Sequence, residues 1–259
     1  MADADPSDGL LRLENLITND LHTRIDPTNR ASMIGWGLFF TVAHQVRAVL
    51  GLHTAGACRA AAPNRRSALE HAITLRWCVD QGDRMGDIYN RKLHNDQIQL
   101  AKALRADGTA DRYKDAYQVM ADTVKTVKES IAPDPNERLA KIEHLMQGYG
   151  LDRERTFYQV DSRFVHPTLT GAQMFFKDDG EAFHVSQMPI HEEIVACHLY
   201  SLWILHAAML AFNEVLIGKP WTAELEKIAK DFGFMTMLPQ WQEPEDLRTV
   251  SKDGPRGTV

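Results

Sequence analysis

Two pairs of polar residues in this chain share one geometry. Arg66 and Glu70 stand four residues apart, and so do Ser162 and His166. At that spacing two side chains leave the same face of an α-helix. Successive helical residues turn by about 100°, so Arg66 and Glu70 fall on the arc that also carries Ile73 and Trp77. The guanidinium and carboxylate then point toward apolar neighbours, and a buried or half-buried ion pair is expected. If the two helices face each other, the set combines guanidinium, carboxylate, hydroxyl and imidazole. It suits acid–base work on an anion, because an imidazole moves protons while a guanidinium holds a phosphate. Tyr158, four residues before Ser162, extends the second stripe. Arg66, Glu70, Ser162 and His166 are the expected catalytic set, with Tyr158, Arg65 and Arg163 as ligand-binding neighbours.

The same four residues have a structural reading, a hydrogen-bonded polar knot that fixes helix register. Ser162 in particular lacks the strained elbow and the third member that a nucleophilic serine needs. Arg59, Arg65 and Arg66 cluster near a helix start, where an anion is favoured, although a solvated basic turn has the same composition. His191, Glu192, Glu193 and His198, with Glu181 and His184, are of metal-ligating types. They lack the second E-x-x-H helix of a di-iron bundle, so neither a metal nor a cofactor is expected. Absence of G-x-x-x-x-G-K, G-x-G-x-x-G and G-x-S-x-G sets aside the nucleoside triphosphatase, dinucleotide-binding and α/β-hydrolase classes.

The elements that must carry these residues are helices. Leucines and Ile17 recur at helical spacing over about residues 8 to 24, and a nearly all-round apolar run from about Asn29 to Leu52 reads as a central, mostly buried helix. Pro63 suits the first turn of a third helix that Gly82 closes. Polar helices follow to Gly108 and over Tyr113 to Val124, then a shorter one stopping at Gly148-Tyr-Gly150. The next starts at about Asp152 and must stop near His166, because Pro167 disfavours helical dihedrals before it. Residues 172–176 and 181–185, joined by Lys177-Asp-Asp-Gly180, read as a β-hairpin. A long apolar helix to about Gly218 and a last one after Pro220 complete the pattern. The expected organisation is one all-α domain over residues 1–241 with a hairpin insertion, then a polar tail over 242–259.

Composition narrows the class. The 259 residues are 44% hydrophobic and 25% charged, which fits a globular core and not a disordered or disulfide-stapled chain. Lys and Arg number 29 against 35 Asp and Glu, and the net charge of −6 gives no overall pull toward nucleic acid or anionic lipid. Any anion site must be local. Three cysteines without C-x-x-C spacing indicate neither a disulfide framework nor a zinc site and read as buried apolar groups. Residues 194–212 lack Asp, Glu, Lys and Arg but include His198 and His206. They read as a helix buried in protein, and with the acidic N-terminus this predicts a cytoplasmic protein without a membrane span.

Arg-Ser-Ala-Leu-Glu at 66–70 and Tyr-Gln-Val-Asp-Ser-Arg-Phe-Val-His-Pro at 158–167 resemble the two signatures of a large bacterial family of uncharacterised helical proteins. That family carries R-x-x-x-E on one helix and S-x-x-x-H-P closing a later one, and the likeness spans roughly residues 30 to 215. More distantly the chain is similar to the HEPN superfamily of helical bundles. The resemblance implies a HEPN-like bundle, a homodimer, and metal-independent cleavage of RNA in a defence or toxin setting. In such a reaction His166 would act as general acid or base on a ribose hydroxyl, Arg66 would stabilise the phosphate charge, and Glu70 would orient Arg66 or the imidazole. The HEPN signature R-x(4–6)-H is met by Arg66 and His71, but that spacing turns about 140° around a helix and separates the side chains. Two other functions fit the same residues: a non-enzymatic ligand-binding or protein-interaction bundle, and a helical enzyme acting on a small metabolite.

Overall fold

A computed structural model describes residues 5–18, 24–106, 141–166, 197–237 and 239–242, with parts of 114–126 and 173–185. The chain is mostly helical, so the all-α expectation holds. The helices are α1 (Pro6–Thr18), α2 (Arg30–Thr54), α3 (Ala62–Gln81), α4 (Arg84–Ala106), α5 (Ile142–Gly148), α6 (Asp152–Val165), α7 (Cys197–Asn213) and α8 (Thr222–Phe232). A 3₁₀ turn, Cys58–Ala61, links α2 to α3. Two short strands, β1 (Phe176–Asp178) and β2 (Phe183–Val185), form the hairpin.

Local chemistry sets most of these boundaries. Asn29 caps α2 by accepting the Ser32 N–H, which occupies one of the donors a helix start leaves orphaned. Pro63 stands in the first turn of α3, and Gly82 closes that helix at φ +57°, a backbone region that only glycine enters without a Cβ clash. The expected stop after Gly148 is present, with Gly150 at φ +64°. Helix α6 ends where Pro167 requires, and His166 is its extended cap at φ −94°, ψ 149°.

Helices α2, α3 and α7 pack against one another as the centre; α1 and α8 lie on α7, and α5 and α6 on α3. Phe39 of α2 stacks on Phe212 of α7 at 4.9 Å, next to Trp221. The apolar segment expected to be a protein-buried helix is α7, with Leu202, Ile204, Leu205, Ala208 and Met209 in the core. Helix α2 is less enclosed than its composition suggests. Phe39, Val42, Val46 and Val49 are buried, but Met33 is exposed and Trp36 and Phe40 are half-buried, because neighbours cover one side. By length and composition α2 is the one helix among the described residues that qualifies to cross a membrane.

Two boundaries differ from expectation. The hairpin pairs Phe176 with Val185, Lys177 with His184 and Asp178 with Phe183. Lys177 and Asp178 therefore belong to the strand, and the turn begins after them. Helix α7 stops at Asn213 and not near Gly218, since Asn213 accepts the Trp221 N–H and donates to Thr222, drawing the chain into the next turn. Residues 239–242 are held on the bundle, with Trp241 against Gly148 and the Gln242 N–H donating to the Gly148 carbonyl. Tyr113, Tyr117, Met120, Val124, Pro133, Pro135, Pro167, Pro189 and the chain beyond Gln242 lie outside the described residues.

Candidate functional site

Helices α3 and α6 face each other, and the two sequence motifs meet between them. Arg66 is the hub. Its Nε donates to Glu70 Oε1 at 3.0 Å, one terminal nitrogen donates to the Tyr158 hydroxyl at 2.8 Å, and the other lies 3.2 Å from His166 Nε2. Tyr158 closes the ring by donating to Glu70 Oε1 at 2.9 Å. The guanidinium carbon also sits 4.8 Å from the centroid of the Tyr158 ring, within cation–π range. The half-buried ion pair expected from the α3 arc is present, with Arg66 22% and Glu70 34% exposed in their side chains. Tyr158 is buried beneath them, while His166 stands at the solvent edge.

The geometry fixes the proton positions. A guanidinium has only donors, so His166 must present a lone pair at Nε2 and carry its proton on Nδ1. Burial pushes the Tyr158 hydroxyl up to about 12, and its hydrogen bond to Glu70 acts in the same direction, so it stays a neutral donor. Burial works against the Arg66 charge, but Glu70 and Tyr158 outweigh it and its pKa is raised. Among the described contacts three of the five Arg66 N–H groups are engaged, which leaves two for an incoming acceptor.

Not every expected residue joins the cluster. Ser162 donates its hydroxyl to the Tyr158 carbonyl at 2.7 Å, a bond within its own helix. Arg65, grouped in the sequence with a basic turn, is 8% exposed. It donates to both Asp161 oxygens at 2.6 and 3.1 Å and to the Cys58 carbonyl at 2.9 Å. It turns about 100° away from Arg66 around α3, so it supports the site from beneath. Arg163 is exposed on α6, and Arg59 lies over the Phe164 ring at 5.4 Å. His71 takes no part: its Nδ1 is 2.7 Å from the Ser67 carbonyl on its own helix, as the divergence from Arg66 implies. The residue missed by sequence reading is Asp161. Its signal was its position three residues after Tyr158, on the inward side of the same helix.

Other candidates are less developed. His198 packs edge-to-face on His53, while His191, Glu192, Glu193 and Glu181 lie outside the described residues. Among the described residues no group of three or more His, Cys, Asp or Glu side chains is arranged to hold a metal ion. An apolar cavity of about 20 Å³ lies further along α3 between Leu69, Ile73, Tyr149, Trp203 and Pro239. It has room for roughly one water.

Fold and site together define a mostly helical protein in which an Arg–Glu–Tyr–His cluster joins two helices distant in sequence. The chain belongs to DUF5677, a family of unknown function, which matches residues 33–183. That span runs from α2 into the hairpin and contains the whole cluster; it ends before α7, short of the expected residue 215. No curated protein and no solved structure matches the chain.

Proposed function

We propose that the cluster is an anion site that binds and acts on a phosphate-bearing ligand, with RNA phosphodiester as the substrate class. The observation that carries this reading is the contact between Arg66 and His166 Nε2, 3.2 Å apart at the solvent edge. The neutral imidazole with its proton on Nδ1 is the form a general base needs. When a ribose 2′-hydroxyl replaces the Arg66 N–H at Nε2, His166 takes its proton and the oxygen attacks phosphorus to give a 2′,3′-cyclic phosphate. The P–O5′ bond breaks as the leaving 5′-oxygen receives the proton held on His166. The remaining Arg66 N–H groups hold the oxygens on which charge grows. Glu70 and Tyr158 keep the guanidinium in place. The distant HEPN resemblance supports the same chemistry, and with it a cytoplasmic bacterial homodimer in a defence or toxin setting.

The test compares wild type with Arg66→Ala and His166→Ala on single-stranded RNA in chelator-containing buffer, alongside thermal melts. The expected outcome is cleavage leaving a cyclic phosphate, lost by about 10²-fold or more in either variant. A specific observation favours a second reading, a structural knot: Tyr158 is buried, and Ser162 bonds within its own helix. Wild type that neither cleaves RNA nor binds nucleotides or inorganic phosphate, with variants that only melt earlier, would establish the knot.

A further inference from the structure

A second cluster of reactive side chains lies where α2 ends, outside the site described above and independent of its chemistry. The Cys58 sulfur is 2.8 Å from His53 Nδ1. The His53 ring in turn meets the His198 ring edge-to-face, with centroids 4.1 Å apart and an interplanar angle of 85°. Cys58 and Cys78 are buried, as their sequence implies, but the Cys58 thiol also has a polar partner.

Three features of the surroundings favour moving the thiol proton to His53. First, His53 occupies the last turn of α2, at the negative end of the helix dipole, which favours a cationic imidazole. Second, the Arg65 guanidinium, whose charge is paired with Asp161, donates to the Cys58 carbonyl, so the positive end of that ion pair and not a net charge lies toward Cys58. Third, the neighbour that would compete for the proton is held neutral. Burial lowers the proton affinity of His198, and the His53 charge lowers it further, against a smaller pull from Asp5. The charged and titratable groups around the pair are therefore His198 on α7, on which Asp5 acts, and Arg65 on α3 with its partner Asp161; Arg59, next to Cys58 in the chain, lies over Phe164. Cys58 itself is 6% exposed, a degree of access that suits a small reagent and shields the product from bulky thiols.

We propose that Cys58 and His53 form a thiolate–imidazolium pair that reacts with small hydroperoxides, making Cys58 an oxidative modification site. The sulfur attacks one peroxide oxygen; the S–O bond forms as the O–O bond breaks. Sulfur loses two electrons and becomes a sulfenic acid, while the peroxide is reduced to an alkoxide or hydroxide. That leaving group takes the proton held on His53, and the imidazole returns to neutral.

Cys78 provides an internal control. It is buried within α3, and burial pushes its thiol up to about 12. The experiment uses the full chain with Cys197→Ser, treated with hydrogen peroxide and a sulfenic-acid trap and read by peptide mass. In parallel the rate of iodoacetamide alkylation is followed from pH 9 to 6. The expected result is trapping at Cys58 alone and an alkylation rate at Cys58 that falls far less than tenfold per pH unit. At pH 6 that rate should exceed the rate in His53→Gln by about tenfold, the balance of a larger thiolate fraction and a weaker nucleophile. Circular dichroism verifies that the variant folds, and the wild-type pH profile decides the matter if it does not. Labelling of Cys58 no faster than Cys78, or a profile falling tenfold per unit, overturns the proposal. So does protection of Cys58 that a chelator lifts, because the thiolate would then belong to a metal.

Discussion

Tyr158 touches both members of the Arg66–Glu70 pair through one oxygen, accepting from the guanidinium and donating to the carboxylate. Removing that oxygen leaves two charged groups short of a partner in a half-buried place, so Tyr158→Phe should cost about 1 kcal/mol in urea denaturation. The three residues act as a unit, and Tyr158→Phe combined with Glu70→Gln should depart from additivity by at least about 0.5 kcal/mol. Strict additivity would mean that the ring of hydrogen bonds is not coupled. Beneath it, the Arg65–Asp161 pair is almost wholly buried, and burial pushes the Asp161 carboxyl up against the pull of Arg65. Asp161→Ala strands a buried cation and should cost about 3 kcal/mol or more, whereas Arg65→Met with Asp161→Leu should cost distinctly less. Equal losses in chemical denaturation would argue against that balance. The first pair was legible from spacing and period. The second was not, because adjacent arginines look alike in sequence, and only the packing of α6 over α3 decides which one is buried.

Among the elements, the legible boundaries are those written by proline and glycine: Pro63, Gly82, Gly148-Tyr-Gly150 and the residue before Pro167 all act locally. The boundaries set by distant partners were not legible. Helix α7 stops at Asn213 because that side chain reaches Trp221 and Thr222, and nothing in the apolar run announces it. The segment after α8 also rests on a distant partner. A Cβ on Gly148 would stand 2.2 Å from the Trp241 ring, so the glycine is what lets residues 239–242 lie on α5, where the ring also meets Tyr149 at 5.3 Å. Gly148→Ala should therefore displace Trp241 and cost about 1–3 kcal/mol, with an emission shift to the red as the indole enters water. In Trp241→Ala the same glycine substitution should cost much less. A full penalty there would place the strain in the α5 backbone.

At the scale of the whole molecule, stability and pH are linked through a residue that belongs to neither cluster. His206 lies in the centre of α7, 1% exposed, with Nε2 2.9 Å from the Leu225 carbonyl and its ring 5.6 Å from that of Phe234. A carbonyl only accepts, so Nε2 carries the proton and the buried ring is neutral. Burial lowers its affinity for a second proton, and the bond to Leu225 only partly offsets this. The sign follows directly. In the unfolded chain the imidazole takes up a proton near pH 6.5, whereas the folded chain resists until a lower pH, so acid favours the unfolded state. Stability should be constant above about pH 7 and fall below about pH 6.5, by up to roughly 1.4 kcal/mol per pH unit until the folded value is reached. His198 shifts in the same direction and adds to the slope. Asp161 opposes it only in more acidic solution, since its raised carboxyl binds a proton more readily in the folded chain than in the unfolded one. Thermal melts at pH 7.5 and 5.5 should show a clear drop for wild type and a smaller one for His206→Gln, whose amide can still donate to Leu225. An equal drop in both would move the origin of the acid sensitivity away from α7.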